Sequence, residues 1–203
     1  MQLDAIFSIL ILIMSVVVHE VSHGFAASYL GDPTARLSGR LTLNPLPHID
    51  PVGSVLVPLI LFFTNAGIML GWAKPVPVNP YNLRGKYGEA IVAVAGPLSN
   101  IAIAVLFGLL IRFGGDALSA SFLQMAVAVV VINIVLALFN LVPIPPLDGS
   151  KILFAFLPYH LQEIRESLER YGFFIVLIFI VFLWQFLTPI IGALFSLLTG
   201  IRL

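Results

Sequence analysis

The 203-residue chain contains no cysteine. Disulfides and thiolate metal sites are thereby excluded, and cysteine usage says nothing of the redox compartment. Charge is scarce too: 10% of residues are charged, against roughly 25% in an average globular chain. Ten Lys and Arg balance ten Asp and Glu, so no basic or acidic surface selects a partner, and a nucleic-acid binder is excluded. There is no internal repeat, and the segments between apolar blocks are too short to hold a soluble domain. What the chain does have is apolar bulk: 60% hydrophobic residues and a mean hydropathy of +1.07. That composition excludes a disordered tail and a coiled coil. It leaves an integral membrane protein with room for four or five spans of about 20 residues each.

Five apolar blocks follow one another. The first, from about Leu3 to Leu30, lacks a basic start and carries His19, Glu20 and His23 where a signal peptide would be cleaved, so it reads as a retained span. The second, Val52 to Leu70, is interrupted by Gly53, Pro58, Asn65 and Gly67. The third, Ala90 to Ile111, and the fourth, Ala117 to Leu141, are long enough to cross. The fifth, Phe173 to Leu198, exceeds one straight crossing and is expected to tilt or bend at Pro189.

Cation placement tests the topology. If all five blocks cross, Arg36, Arg40, Arg112 and Arg202 oppose the other six cations, which sets no orientation. If the second block re-enters its own side, Arg36, Arg40, Lys74, Arg84, Lys86, Lys151, Arg165 and Arg170 share one face, and only Arg112 and Arg202 remain opposite. Eight against two is a positive-inside bias with the N-terminus outside. Two segments alternate as strands do, Arg40–Asn44 and Lys74–Pro80, the second interrupted by prolines that cannot donate to a ladder. They predict a small membrane-associated β element, with edges near Leu41 and Val76 that an extended substrate could pair with. Between Pro158 and Tyr171 the spacing of Leu161, Ile164, Leu168 and Tyr171 predicts an interfacial amphipathic helix.

Chemistry concentrates in His19-Glu20-Val21-Ser22-His23. On a helix, positions i and i+4 share a face, so both imidazoles can meet one metal ion. The Glu between them is placed to take a proton from water at a zinc ion. Chance would have to leave two His and a Glu within an apolar span, where a charged group costs roughly 2.5–3.5 kcal/mol near the bilayer centre. An ion or proton pathway, and hence a cation or metal transporter, is the competing reading. Blocks three and five hold no Asp, Glu or His to extend such a path.

A catalytic zinc takes three protein ligands and keeps one position open. The candidates for the third are His48, Asp50, Asp148 and His160. Asp148 follows Pro143, Pro145 and Pro146, which prevent regular helix after the fourth block. Unwound backbone at membrane depth belongs where it lines a cavity or packs on protein. With the second block re-entrant, blocks one and four run in the same direction and bring His23 and Asp148 to the same side. His48 and Asp50 either serve the backbone of a local turn, or His48 acts as an orienting partner or gate. Asn100 is a candidate for orienting a loop near the metal, and Asn133 for bridging helices.

His19–His23 followed far downstream by Asn140–Gly149 resembles the site-2 protease family of intramembrane zinc metalloproteases. So do Gly39–Pro45, His48–Gly53, Gly71–Pro80 and Ala95–Asn100, and the resemblance covers about residues 10 to 155. It implies one zinc ion per chain held by His19, His23 and Asp148, Glu20 as general base, and transmembrane proteins as substrates. Asn140 is the candidate to assist the metal in stabilising the oxyanion. Only Arg112 to Ser119 join blocks three and four, where larger relatives insert a PDZ domain. The expected architecture is an all-α polytopic membrane protein forming one unit, residues 1–203. Residues 1–157 are its catalytic core of three spans, with a re-entrant segment and the β element. Residues 158–203 supply the interfacial helix and a C-terminal span. The expected location is the cell membrane, with the site toward the cytoplasm. A catalytically inactive relative is disfavoured because Glu20 is present.

Overall fold

Long apolar runs with few charges have one way to satisfy their backbone in a bilayer, which is helix. A computed structural model, which describes residues 2–64, 72–158 and 161–201, shows seven α-helices among those residues. They are α1 (Gln2–Tyr29), α2 (Thr34–Leu37), α3 (Val57–Phe63), α4 (Gly88–Gly114), α5 (Ala120–Asn140), α6 (Asp148–Phe156) and α7 (Gln162–Thr199). Ile6–Tyr29, α4 and α5 are each long and apolar enough to cross a membrane, and α7 makes a fourth candidate if its two arms count as one span.

Side-chain contacts give the helix directions. His23 of α1 meets Val92 of α4, while Ser15 and His19 meet Asn100. Position therefore rises along α1 as it falls along α4, and the two are antiparallel. Asn133 of α5 lies level with Ser15 and Asn100. Asp148, beyond the end of α5, reaches His19 and His23. So α5 runs with α1. Ile6, Phe7, Ile9, Leu10, Leu12, Ile13 and Met14 of α1 face outward, as a lipid-facing surface requires. In the half of the bundle away from the histidines, α4, α5 and α7 pack Ala104, Ile111, Ala126, Val130, Ile134, Leu187, Ile191 and Phe195 together. Ala104, Gly108 and Ala126 allow close approach there, the device helices use where lipid is as apolar as leucine. A methyl group on Gly108 would stand 2.8 Å from Leu198 Cβ.

The chain leaves α1 and enters α4 at one place. Arg84 N–H donates to Leu30 O (2.9 Å). The fully buried Asp32 accepts from Asn79 N–H (2.7 Å), Asn82 Nδ2 (3.0 Å), Thr34 N–H (3.1 Å) and the Thr34 hydroxyl. In the second block, Asp50 caps a wide π-helical turn, Pro51–Leu56, by accepting from Val52 and Gly53 N–H, and α3 follows directly. On the far side of that block, Trp72 N–H donates to Gly53 O (3.2 Å), Ser54 Oγ donates to Trp72 O (2.8 Å) and Lys74 N–H donates to His48 O (2.9 Å).

Two expectations need correction. No strand forms among the described residues, so the predicted β element is not built there. Alternation at Arg40–Asn44 and Lys74–Pro80 misleads because Pro75, Pro77 and Pro80 remove ladder donors. The buried Arg40 joins the two segments instead, through Nη2 to Lys74 O (2.6 Å) and Pro75 O (3.2 Å). The interfacial helix is also not separate. It is the first part of α7, since nothing between Tyr171 and Phe173 breaks the helix. The 72° bend in α7 falls between Ile180 and Gln185. That is one turn before Pro189, where a proline deprives the carbonyl of residue i−4 of its partner.

Burial raises the Asp32 carboxyl, but the hydrogen bonds from Asn82, Thr34 and Asn79 outweigh it and hold the group below its usual value of 3.8. A lowered folded-state value stabilises fully above 3.8, and the contribution is lost as pH falls through the folded value. Asp32→Ala is expected to cost about 2 kcal/mol at neutral pH, because it removes four hydrogen bonds to a charged acceptor and leaves the part-buried Thr34 and Asn79 donors without it. Melting curves in detergent at neutral and strongly acidic pH check this. The gap between variant and native protein should close in acid.

Candidate metal centre

His19 and His23 lie one turn apart on α1, and both rings turn into the bundle, 5% and 8% exposed. Their Nε2 atoms are 3.0 Å apart. Asp148 Oδ2 lies 3.1 Å from the first and 3.2 Å from the second. Asp148 reaches them because residues 141–147 are irregular, and α6 then starts beneath the end of α5. Gly149 makes that return possible: a Cβ there would stand 2.2 Å from Leu141 O.

The outer nitrogens of both rings are committed. His23 Nδ1–H donates to Val92 O (2.7 Å), a carbonyl that can only accept. His19 Nδ1 faces Asn100 Oδ1 at 2.7 Å. With their protons on Nδ1, both imidazoles present bare Nε2 lone pairs to each other and to a carboxylate oxygen. Three converging acceptors suit a cation. Two imidazoles and one carboxylate are a donor set that zinc accepts. Among the described residues, His19, His23 and Asp148 are the group of three or more His, Asp or Glu whose ligand atoms fall within 4.8 Å of one another.

The other sequence candidates fall elsewhere. Glu20 is half-buried, and its Oε2 accepts from Val76 N–H (2.8 Å). That occupies the Val76 amide, so an extended substrate cannot pair with it while the bond to Glu20 stands. Asn140 Nδ2 donates back to Leu136 O of its own helix (2.9 Å). His48 is buried outside the cluster, with Nε2–H donating to Thr42 O (3.0 Å), and Asp50 caps the π-helical turn. Both serve local backbone. His160 lies outside the described residues. Asn100 is fully buried and touches a candidate ligand directly.

Sequence reasoning missed the Val92 carbonyl and Gly96. A Cβ on Gly96 would stand 2.4 Å from His23 Nε2 and 2.6 Å from His19 Cε1, so α4 presents bare backbone to both rings. The signal available was a glycine immediately before the helix-internal Pro97. Gly96→Ala is expected to push both imidazoles aside and weaken zinc binding roughly tenfold or more. Competition with a chromogenic chelator would read the change, and an unchanged affinity would show that the rings yield without loss.

Residues 108–183 match a family model described as peptidase family M50. A Bacillus subtilis protein named "Putative zinc metalloprotease YwhC" is 38% identical over 192 residues, 91% of this chain and 81% of that protein. "Putative zinc metalloprotease Rip2" of Mycolicibacterium smegmatis is 31% identical over 169 residues, 83% of this chain and 64% of that protein. "Putative zinc metalloprotease MJ0611" of Methanocaldococcus jannaschii is 43% identical over 63 residues, 30% of this chain and 31% of that protein. No solved structure matches. Likeness over most of the chain, and a triangle of candidate ligands assembled from two distant motifs, place this protein in peptidase family M50, the site-2 protease family.

Proposed function

We propose that the protein is an intramembrane zinc endopeptidase that hydrolyses peptide bonds in the transmembrane segments of other proteins. The observation that carries this is the convergence of His19, His23 and Asp148 on one point inside a bundle of apolar helices. When bound, zinc supplies Lewis acidity, polarising the scissile carbonyl and acidifying water for attack on it. Glu20 is the general base. It follows the first ligand in the chain, and the Val76 amide holds one of its carboxylate oxygens, leaving Oε1 to accept the proton. Water oxygen adds to the carbonyl carbon, the C–N bond breaks, and Glu20 returns the proton to the leaving amine. Asn140, one turn beyond Leu136 at the end of α5, is the candidate donor to the oxyanion once its side chain leaves the Leu136 carbonyl.

The second block is proposed to re-enter, and the site to face the cytoplasm of the cell membrane. Three features support this. Among the described residues, the π-helical turn and α3 together cover Pro51–Phe63, shorter than the roughly 20 residues a span needs. Trp72 and Lys74 bond back to Gly53 and His48. Leu30 and Arg84, which flank the whole stretch, bond to each other, so an odd number of crossings between them would separate bonded partners. The resulting eight-to-two cation bias then puts the ligand side inside.

Purified protein incubated with a panel of tagged transmembrane segments tests the activity. Native protein is expected to cleave at least one segment, and a chelator to stop it. Glu20→Gln should lower the rate by roughly 10²–10⁴-fold while one zinc per chain stays bound. Cleavage that survives the substitution would remove Glu20 from the mechanism. A reporter inserted between Lys74 and Lys86 should read cytoplasmic, and an extracytoplasmic signal would overturn the re-entrant topology.

A further inference from the structure

The geometry points to Asn133 as a positioning residue that sets the tautomer of His19 through Asn100, and so keeps the His19 Nε2 lone pair bare for metal. The inference rests on the metal-site reading above, although its first test does not need the metal.

Val129 O, which can only accept, and the Ser15 hydroxyl, which can do either, each lie 2.9 Å from Asn133 Nδ2. A backbone carbonyl has no proton to give, so the Asn133 NH₂ group must face Val129. Its Oδ1 then faces Asn100, whose Nδ2 donates to it at 2.8 Å. The second Asn100 N–H points to another pure acceptor, Ser15 O, at 3.4 Å. Asn100 Oδ1 is left for His19 Nδ1 at 2.7 Å, and the ring must carry its proton there. Flipping Asn100 would set its oxygen against Asn133 Oδ1 and Ser15 O, acceptor against acceptor. It would also force the His19 proton onto Nε2, where it would block the ligand position.

Both amides are fully buried, and Ser15 and His19 are 5% exposed. The relay draws on α1, α4 and α5 at one level. If these polar groups merely bridged helices, their orientation would not matter to the ring. Here the direction of each hydrogen bond passes from a carbonyl of α5 to a ligand on α1.

Metal-free protein labelled with ¹⁵N at histidine, studied in detergent at neutral pH, reads the tautomer from the ring ¹⁵N shifts. His19→Gln identifies the resonance among the four histidines. Native His19 is expected to carry a proton on Nδ1, whether or not Nε2 also shares one with Asp148 in the absence of metal. A bare Nδ1, with the proton on Nε2 alone, would overturn the relay whether or not zinc binds. Native protein that shows Nδ1–H yet binds no zinc would overturn the metal reading and support the relay. Asn133→Leu, of similar volume, is expected to give a mixture of tautomers and a roughly 10–100-fold weaker zinc affinity. Ser15→Ala keeps the Val129 anchor and should leave the tautomer unchanged. If Asn133→Leu folds and shifts neither tautomer nor affinity, Asn133 has no positioning role. If it does not fold, the native tautomer decides alone.

Discussion

Three electron-rich atoms held within 3.2 Å of one another, on side chains buried among apolar helices, form the constraint on which this structure turns. Lone pairs so placed repel unless a positive charge lies among them, so helix packing has to impose the arrangement. Each participant is held from behind. Val92 O holds His23, Asn100 holds His19, and the fold of α6 back under α5 holds Asp148. Space is as necessary as bonding, because Gly96 lets α4 lie flat against both rings. The antiparallel course of α1 and α4 and the parallel course of α1 and α5 are what these contacts require. The bundle divides accordingly, with polar anchors around the site and small-residue packing of α4, α5 and α7 in the other half.

How much of this could be read in advance depended on how local the signal was. His19 and His23 were legible because helical periodicity alone puts residues four apart on one face. Asp148 needed a further step: prolines that stop the helix, and a topology that returns two distant segments to the same side. The Val92 carbonyl, the Val76 amide and the room at Gly96 were not legible, because any residue supplies a backbone group and a space has no letter. Asn100 and Asn133 stood out as amides in apolar spans. The direction in which each points follows only once three helices are superposed at one level. The β element failed for a physical reason: alternation describes a face, while a strand also needs donors that Pro75, Pro77 and Pro80 do not have.

Those same prolines give the segment before α4 a different use. Pro75 and Pro77 flank Val76, so its N–H is an isolated donor, and that donor meets Glu20. Asn79 N–H, just before Pro80, meets Asp32. The two carboxylates belong to α1 and to its exit, so one stiff stretch of chain is pinned twice to the same helix. Its upstream end is tied by Lys74 N–H to His48 O and by Arg40 to the Lys74 and Pro75 carbonyls, and its downstream end by Arg84 N–H to Leu30 O. A segment fixed at both ends, with proline limiting φ between them, has little freedom to change where Val76 points. The carboxylate next to the histidine pair is therefore aimed by backbone whose position is set beyond the ends of α1 and α4, at Asp32 and His48. Buried residues far from the two histidines thus belong to the same mechanical unit as the site.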